Sequence, residues 1–314
     1  MSAPNPALVD PTVAALLARC PFPPPSAEVT CAVSGGADSL ALLALACAAG
    51  CDVTAVHVDH GLRAGSAAEA DVVAAADRLG ARFRAVTVQV EPGPNLEARA
   101  RVARYAALPA DVLTGHTADD QAETLLLHLL RGAGLDGLAA MRPGERRPLL
   151  GLRRADTESV CAALGLEPVH DPSNLDPAFR RNRVRHEVLP LLADVAERDV
   201  VPLLVRLADL ARSELDHLEA EAAPLDVCDA RALSAAPPVI ARRAVRNWLR
   251  RSDDEGHPPD RATVARVLGV AAGEATGTDV GGGRSVRRTA GRLRLEGPAP
   301  RPTGDAWGGP ASVR

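Results

Sequence analysis

The chain has no lysine; all 36 of its basic residues are arginine. Every cationic role therefore falls to a planar guanidinium that keeps its charge at physiological pH. Aromatic residues number six: Phe22, Phe83, Tyr105, Phe179, Trp248 and Trp307. That is too few for an RNA-binding platform on which several bases stack. The six cysteines stand at 20, 31, 47, 51, 161 and 228 with no C-x-x-C pair, which argues against a disulfide frame or a zinc site and fits a reducing compartment. No apolar run approaches the roughly 20 residues of a membrane span. The segment Met1–Val9 lacks the basic-then-apolar order of a secretory signal. A cytoplasmic protein with no membrane partner is the expectation.

What is present describes a globular chain. With 314 residues, 46% hydrophobic and 24% charged, it can bury a core and is long enough for about two domains. Net charge is −4, which opposes nonspecific coating of nucleic acid but not a local grip on it. The arginines are unevenly spread. Residues 142–185 carry an excess of three over the acids and residues 242–294 an excess of six. Such a split suits one face for a polyanion.

From Glu28 onward, short β-rich runs alternate with helical ones. Strands are expected at Glu28–Val33, Val53–Val58, Phe83–Val90 and Asp111–Gly115. Helices are expected at Ala37–Ala49, after the Ser66/Glu69 capping box, from Asn95 to Leu108, and at Ala118–Arg131. A further β/α unit is read over Pro148–Leu152 and Asp156–Leu164. This alternation predicts an α/β fold, a parallel sheet with helices on both faces, whose ligands bind beyond the C-terminal strand ends. From about Leu189 the pattern turns helical, and a short β hairpin is expected between Thr278 and Leu295. The expected organisation is a catalytic domain over 1–190, a smaller, mainly helical domain with its terminal hairpin over 191–297, and a tail over 298–314.

The sharpest local motif is Ser34-Gly35-Gly36-Ala37-Asp38-Ser39, set between an apolar strand and an apolar helix. Glycine-freed amides at a helix N-terminus cradle anionic oxygens, and the serines add hydroxyls. Asp38, an acid where phosphates bind, calls for Mg²⁺ or a polar partner. The spacing is neither that of a Walker A loop nor G-x-G-x-x-G. Three more clusters fall at strand ends or on a helix: His57-Val58-Asp59-His60-Gly61-Leu62-Arg63; Glu97 to Tyr105, with Arg101 and Arg104 one turn apart; and Gly115-His116 through Asp119, Asp120 and Glu123 to Thr124. The last sets carboxylates on the first turn of a helix whose Leu125, Leu126 and Leu129 form the packing side, more than a helix cap requires.

The hexapeptide resembles the PP-loop of N-type ATP pyrophosphatases. The full order S-G-G-x-D-S, V-D-H-G-L-R, E-x-x-A-R-x-x-R-Y and G-H-x-x-D-D-Q-x-E-T resembles the tRNA(Ile)-lysidine synthetase family. The later Arg147-Pro148-Leu149-Leu150, His170-Asp171-Pro172-Ser173-Asn174 and Arg181-Asn182-Arg183-Val184-Arg185 fit it too. The match covers roughly 28–192; the rest resembles that family's tRNA-binding domain in pattern.

The resemblance implies ATP-dependent joining of L-lysine to the wobble cytidine of the CAU-anticodon isoleucine tRNA, through an adenylated cytidine. It implies that Ser34, Gly35, Gly36, Ala37, Asp38 and Ser39, with His57, Gly115 and His116, hold ATP, and that Asp38 contacts Mg²⁺. Asp59, Asp119, Asp120 and Glu123 become candidates for the lysine pocket, His60 and His116 for proton transfer, and Arg181 or Arg185 for the α-phosphate or cytosine. Arg101 and Arg104 join the substrate-binding candidates, and Arg287 with Arg288 the expected tRNA contacts. The family often dimerises, so a homodimer is implied. Two rivals stand beside this reading: a PP-loop ligase acting on a small molecule, and a metal-dependent hydrolase using His57, Asp59, His60, His116 and Asp119. A third is a nucleotide sensor without chemistry.

Overall fold

The computed structural model describes residues 10–59, 67–89, 99, 103, 105–169, 172–253 and 258–297. The expected caps Ser66 and Asn95, and the candidates His60, Arg101, Arg104, His170 and Asp171, lie outside them. The chain divides into two units, Met1–Arg212 and Ser213–Arg314.

In the first unit, β1 (Glu28–Ala32), β2 (Asp52–Asp59) and β3 (Arg82–Thr87) form a parallel sheet in that order. Helix α1 (Pro11–Leu17) starts at Asp10, whose carboxylate accepts from the Thr12 N–H at 2.7 Å. Helix α2 (Ala37–Ala48) is buried from Ser39 through Ala46. Its sequence is apolar all round, as a helix covered on every side requires. Leu40, Leu42, Leu43 and Leu45 are almost wholly enclosed, each contributing about 1.5–3 kcal/mol by burial. Helix α3 (Ala67–Leu79) adds Val72, Ala75, Ala76 and Leu79 to the same core.

The expected fourth strand is corrected to a single bridge. Leu113 pairs with Cys31 in parallel, exchanging bonds with Ala32 and Thr30 at 3.0 and 2.8 Å. Thr114 turns its N–H to the opposite edge, where the Arg146 carbonyl accepts it at 3.0 Å, and among the described residues the pairing with β1 goes no further. Pro148–Gly151 is likewise a 3₁₀ turn and not a strand; Pro148 has no N–H to give a ladder.

Helix α4 (Ala118–Leu130) is followed by the short α5 (Leu135–Leu138) and by α6 (Arg154–Ala163). A later helical run comprises α7 (Arg180–Arg183), a π turn (Val184–Val188) and α8 (Leu189–Ala196). The Leu189 N–H bonds the Val184 carbonyl, five residues back. Pro190 explains the widening: it has no N–H, and its ring crowds the carbonyl four residues earlier. Helix α9 (Val201–Ala222) comes next. Ala118, Ala122, Leu125 and Leu126 of α4 pack against Val184, Leu189, Val200, Val201 and Ala208. Packing therefore carries the first unit past residue 190, where composition changes.

The second unit holds α10 (Ala230–Ala235), α11 (Pro238–Arg251) and α12 (Arg261–Ala272). An antiparallel sheet follows, β4 (Gly277–Gly281), β5 (Arg284–Thr289) and β6 (Arg292–Glu296). Two successive hairpins thus stand where one was expected. Ala290 and Gly291 both have positive φ, 49° and 75°, the two-residue turn that suits the strand twist. Leu233, Val245, Leu249, Val267, Val270, Val286 and Leu293 make its core.

Candidate active site

The Ser34–Ser39 loop leaves β1 and enters α2. Gly35 takes φ 90°, which a side chain resists. The Ser39 hydroxyl is central: it accepts from the Ser34 N–H at 3.1 Å and donates to the Gly36 carbonyl at 2.8 Å. No side chain caps the N-terminus of α2, so its first amides face the loop as an anion cradle. The Val169 N–H holds the Gly35 carbonyl at 2.9 Å. His57, buried on β2, turns Nδ1 to the Val33 carbonyl at 2.9 Å, so its described role is to brace the loop.

Gly115 explains itself. A Cβ there would meet the Asp38 carbonyl oxygen at 2.5 Å, so the backbone before α4 packs directly on the phosphate loop. One residue on, His116 Nδ1 meets Thr114 Oγ1 at 2.8 Å.

Four carboxylates and four guanidiniums converge beside the loop. Asp119 is held by Arg153 through Nε at 3.1 Å and Nη2 at 3.0 Å, and by the Arg154 N–H at 2.8 Å. Arg153 also pairs with Asp199. Asp120 reaches back to the Thr117 N–H at 2.9 Å, and its Oδ1 faces Arg154, Arg185 and Arg181 at 3.6, 3.6 and 3.9 Å. Glu123 is fully buried and accepts from Arg181 Nε at 2.8 Å and Arg185 Nε at 2.7 Å. Asp38 Oδ1 accepts from Thr157 at 2.5 Å, while Oδ2 lies 3.5 Å from Arg154 Nε.

Environment sets the acids apart. Burial pushes the Asp38 carboxyl above its ordinary range, against the pull of Thr157 and Arg154. Burial also works on Asp119 and Asp120, but there the cations and N–H donors prevail. Asp119 is held low by Arg153 and the Arg154 N–H, and Asp120 by Arg181, the Thr117 N–H and Arg154.

A cleft of about 420 Å³ opens beside this cluster. Ser34, Gly36, Ala37, Asp38 and Ser39 line it, with Gly115, His116, Arg154 and Arg185. Val56, Val58, Tyr105 and Leu108 give it an apolar wall. Asp59 closes β2 one residue beyond Val58. Asp119, Asp120 and Glu123 stand behind the lining, where they face arginines. For Mg²⁺ the donor chemistry fits: Asp38 offers a carboxylate at an uncapped helix N-terminus, and such cations bind through one or two carboxylates plus phosphate oxygens. Among the described residues no group of three or more His, Cys, Asp or Glu is placed to hold a metal alone. The donor set of the hydrolase rival is therefore not assembled there: His57 braces backbone and Asp119 is clamped by Arg153.

Residues 10–192 match the PP-loop domain family, and residues 229–294 match the TilS substrate binding domain. The chain is 46% identical over 297 residues to tRNA(Ile)-lysidine synthase of Nocardia farcinica, covering 87% of this chain and 93% of that protein. It belongs to the tRNA(Ile)-lysidine synthase family. The Rhodococcus opacus lysidine synthase is 42% identical, covering 86% and 90%; that of Mycobacterium tuberculosis is 45% identical, covering 69% and 73%. Among solved structures, a U34-tRNA thiolase from Methanococcus maripaludis with its [4Fe-4S] cluster shares the fold at TM-score 0.50 and 16% identity, covering 65% of this chain and 79% of that one.

That thiolase likeness goes no further than fold. Cys31 and Cys161 are buried and Cys20, Cys47 and Cys51 partly so, and burial pushes the Cys20 and Cys161 thiols up to about 11 and Cys47 to about 12. Thiols so disfavoured as thiolates are poor nucleophiles and ligands.

For this member of the lysidine synthase family, sequence reasoning missed Arg153, Arg154 and Thr157. The sole local signal is Asp156, whose carboxylate accepts from the Arg153 N–H at 2.8 Å and starts α6. Nothing local tells that this helix end faces Asp38 and Asp119.

Proposed function

We propose that the chain ligates L-lysine to the wobble cytidine of the CAU-anticodon isoleucine tRNA, consuming ATP and releasing pyrophosphate and AMP. The observation that carries this reading is the pairing of both family domains in one chain, at 46% identity across 93% of a lysidine synthase. Catalysis falls to the PP-loop part, expected over 1–190, and tRNA binding to 191–297. The reading sets the enzyme in the cytoplasm; no helix among the described residues is long and apolar enough to cross a membrane.

In the first step the cytosine C2 oxygen attacks the α-phosphate of ATP. The amides opening α2 and the Ser34 and Ser39 hydroxyls receive the departing pyrophosphate, since such transfers depend on positioning and charge neutralisation. Asp38 would hold Mg²⁺, which supplies phosphate-charge neutralisation when bound. Arg185 lines the cleft while Glu123 fixes its Nε, so its charge is positioned before the adenylate forms. In the second step the lysine ε-amine displaces AMP from C2, which requires an anion for the ammonium and a proton acceptor. Asp120, which stands behind the cleft lining, is the acid assigned to the ammonium: arginines approach its Oδ1 no closer than 3.6 Å, so sharing it breaks no short bond. His116, lining the cleft, stands for the acceptor.

The test is pyrophosphate release from ATP and Mg²⁺ with L-lysine and either the isoleucine tRNA or methionine tRNA. Release dependent on the isoleucine tRNA, with labelled lysine retained on the RNA, is expected. Release indifferent to RNA would move the reading to a small-molecule ligase.

The second unit offers the RNA a specific face. Arg287 sits directly opposite Arg294, with Gly277 on its other side. Like charges facing across strands cost stability, which an anionic partner offsets. Arg287 pairs with Glu296 at 3.1 Å; Arg294 pairs with no acid among the described residues. Arg288 alternates to the inner side, where its Nη1 lies against Gly273. The contact pair expected from sequence is thus split. Neutralising Arg287 and Arg294 together is expected to weaken tRNA binding about tenfold and reduce the log–log salt slope by about 2, whereas Arg288→Ala keeps the slope. Filter binding across salt concentrations reads both.

A further inference from the structure

We propose that Thr157, seconded by Arg154, is a positioning residue that sets the Asp38 carboxylate for the cation–triphosphate subsite; this rests on the functional reading above. Thr157 is completely buried. Its Oγ1 lies 2.8 Å from the Arg154 carbonyl and 2.5 Å from Asp38 Oδ1, on residues 119 positions apart. One hydroxyl proton cannot serve both acceptors, and the nearer, charged carboxylate takes it.

A buried helical threonine ordinarily gives its proton to a carbonyl one turn back, and Arg154 supplies one. Thr157 therefore has no structural need of Asp38; the bond serves the aspartate. Arg154, one turn earlier on the same helix, brings Nε to 3.5 Å from the other oxygen, Oδ2. Both oxygens of Asp38 thus meet the first turn of α6, which selects one side-chain rotamer.

The helix end that does this is itself anchored. Arg153 and the Arg154 N–H hold Asp119, and Cys161 Sγ lies 3.5 Å from the Ala37 carbonyl in the phosphate loop. The arrangement is that of a ligand-orienting outer shell, where loss of a partner costs metal affinity and not fold.

The full chain is titrated calorimetrically with ATP, once with excess Mg²⁺ and once with EDTA, as wild type, Thr157→Val and Thr157→Ser. Thr157→Val is expected to lose about tenfold of the Mg²⁺-dependent gain in affinity, with its EDTA affinity and melting temperature unchanged. Thr157→Ser, which keeps the hydroxyl, restores the gain. Should the valine variant not fold, Thr157→Ala is read the same way. A full Mg²⁺ gain in the variant, or an equal loss in both buffers, would overturn the inference and leave the reading intact. A wild type that binds ATP with no Mg²⁺ gain overturns it too. A wild type that binds no ATP in either buffer overturns the reading itself.

Discussion

Asp38→Ala is expected to lower pyrophosphate release about a thousandfold or more, equivalent to about 4 kcal/mol of transition-state stabilisation, while the circular dichroism spectrum stays native. The structure explains why the fold survives. The Thr157 hydroxyl can return its proton to the Arg154 carbonyl at 2.8 Å. Arg154 retains Asp120 and Glu123 at 3.6 and 3.5 Å. Removing a carboxyl whose burial opposes its charge leaves no cation stranded. The loss is one of chemistry, because Asp38 is the acid of the phosphate loop and lines the cleft. Turnover within a few-fold of wild type would remove Asp38 from the mechanism.

Glu123→Ala is expected to fail differently, losing about 3–5 kcal/mol of stability in urea unfolding. Glu123 is fully buried and takes short bonds from both Arg181 and Arg185. Without it the guanidiniums of Arg181, Arg185 and Arg154 lose their shared buried carboxylate, and Arg185 loses its fixed aim at the cleft. A buried ion cluster adds little stability against an apolar isostere, but breaking one side of it costs much. An unfolding midpoint unchanged from wild type would show that the arginines find other acceptors.

The two variants mark what could be read before the fold was known. The phosphate loop is a local object: a strand, two glycines and a helix N-terminus in six residues, so pattern and geometry coincide. The first turn of α4 is equally local, because spacing alone sets Asp120 and Glu123 one turn apart. Arg153, Arg154 and Thr157 are distant in sequence from the acids they meet, and no periodicity encodes a contact across 34 or 119 positions. Their helix was expected; the direction of its first turn was not.

The fourth strand shows the same limit in reverse. Val112-Leu113-Thr114 has strand propensity, yet Leu113 alone bridges β1, and Thr114 on the opposite edge bonds the distant Arg146 in place of a further strand. Arg287 and Arg288 differ again. Adjacent residues on a strand must face opposite ways, a constraint already contained in the expected hairpin and the reason one of the two turns inward.

The guanidinium cluster has a further consequence. The proposed reaction generates an activated cytidine whose C2 is electrophilic, waiting for an ε-amine. A lysine in place of Arg154 or Arg185 would bring a competing nucleophile to that carbon whenever the local field lowered its pKa. An arginine side chain is not deprotonated at physiological pH and offers no lone pair. In a chain without a single lysine, no ε-amine of its own can meet the intermediate, so that route to self-modification is closed off by composition.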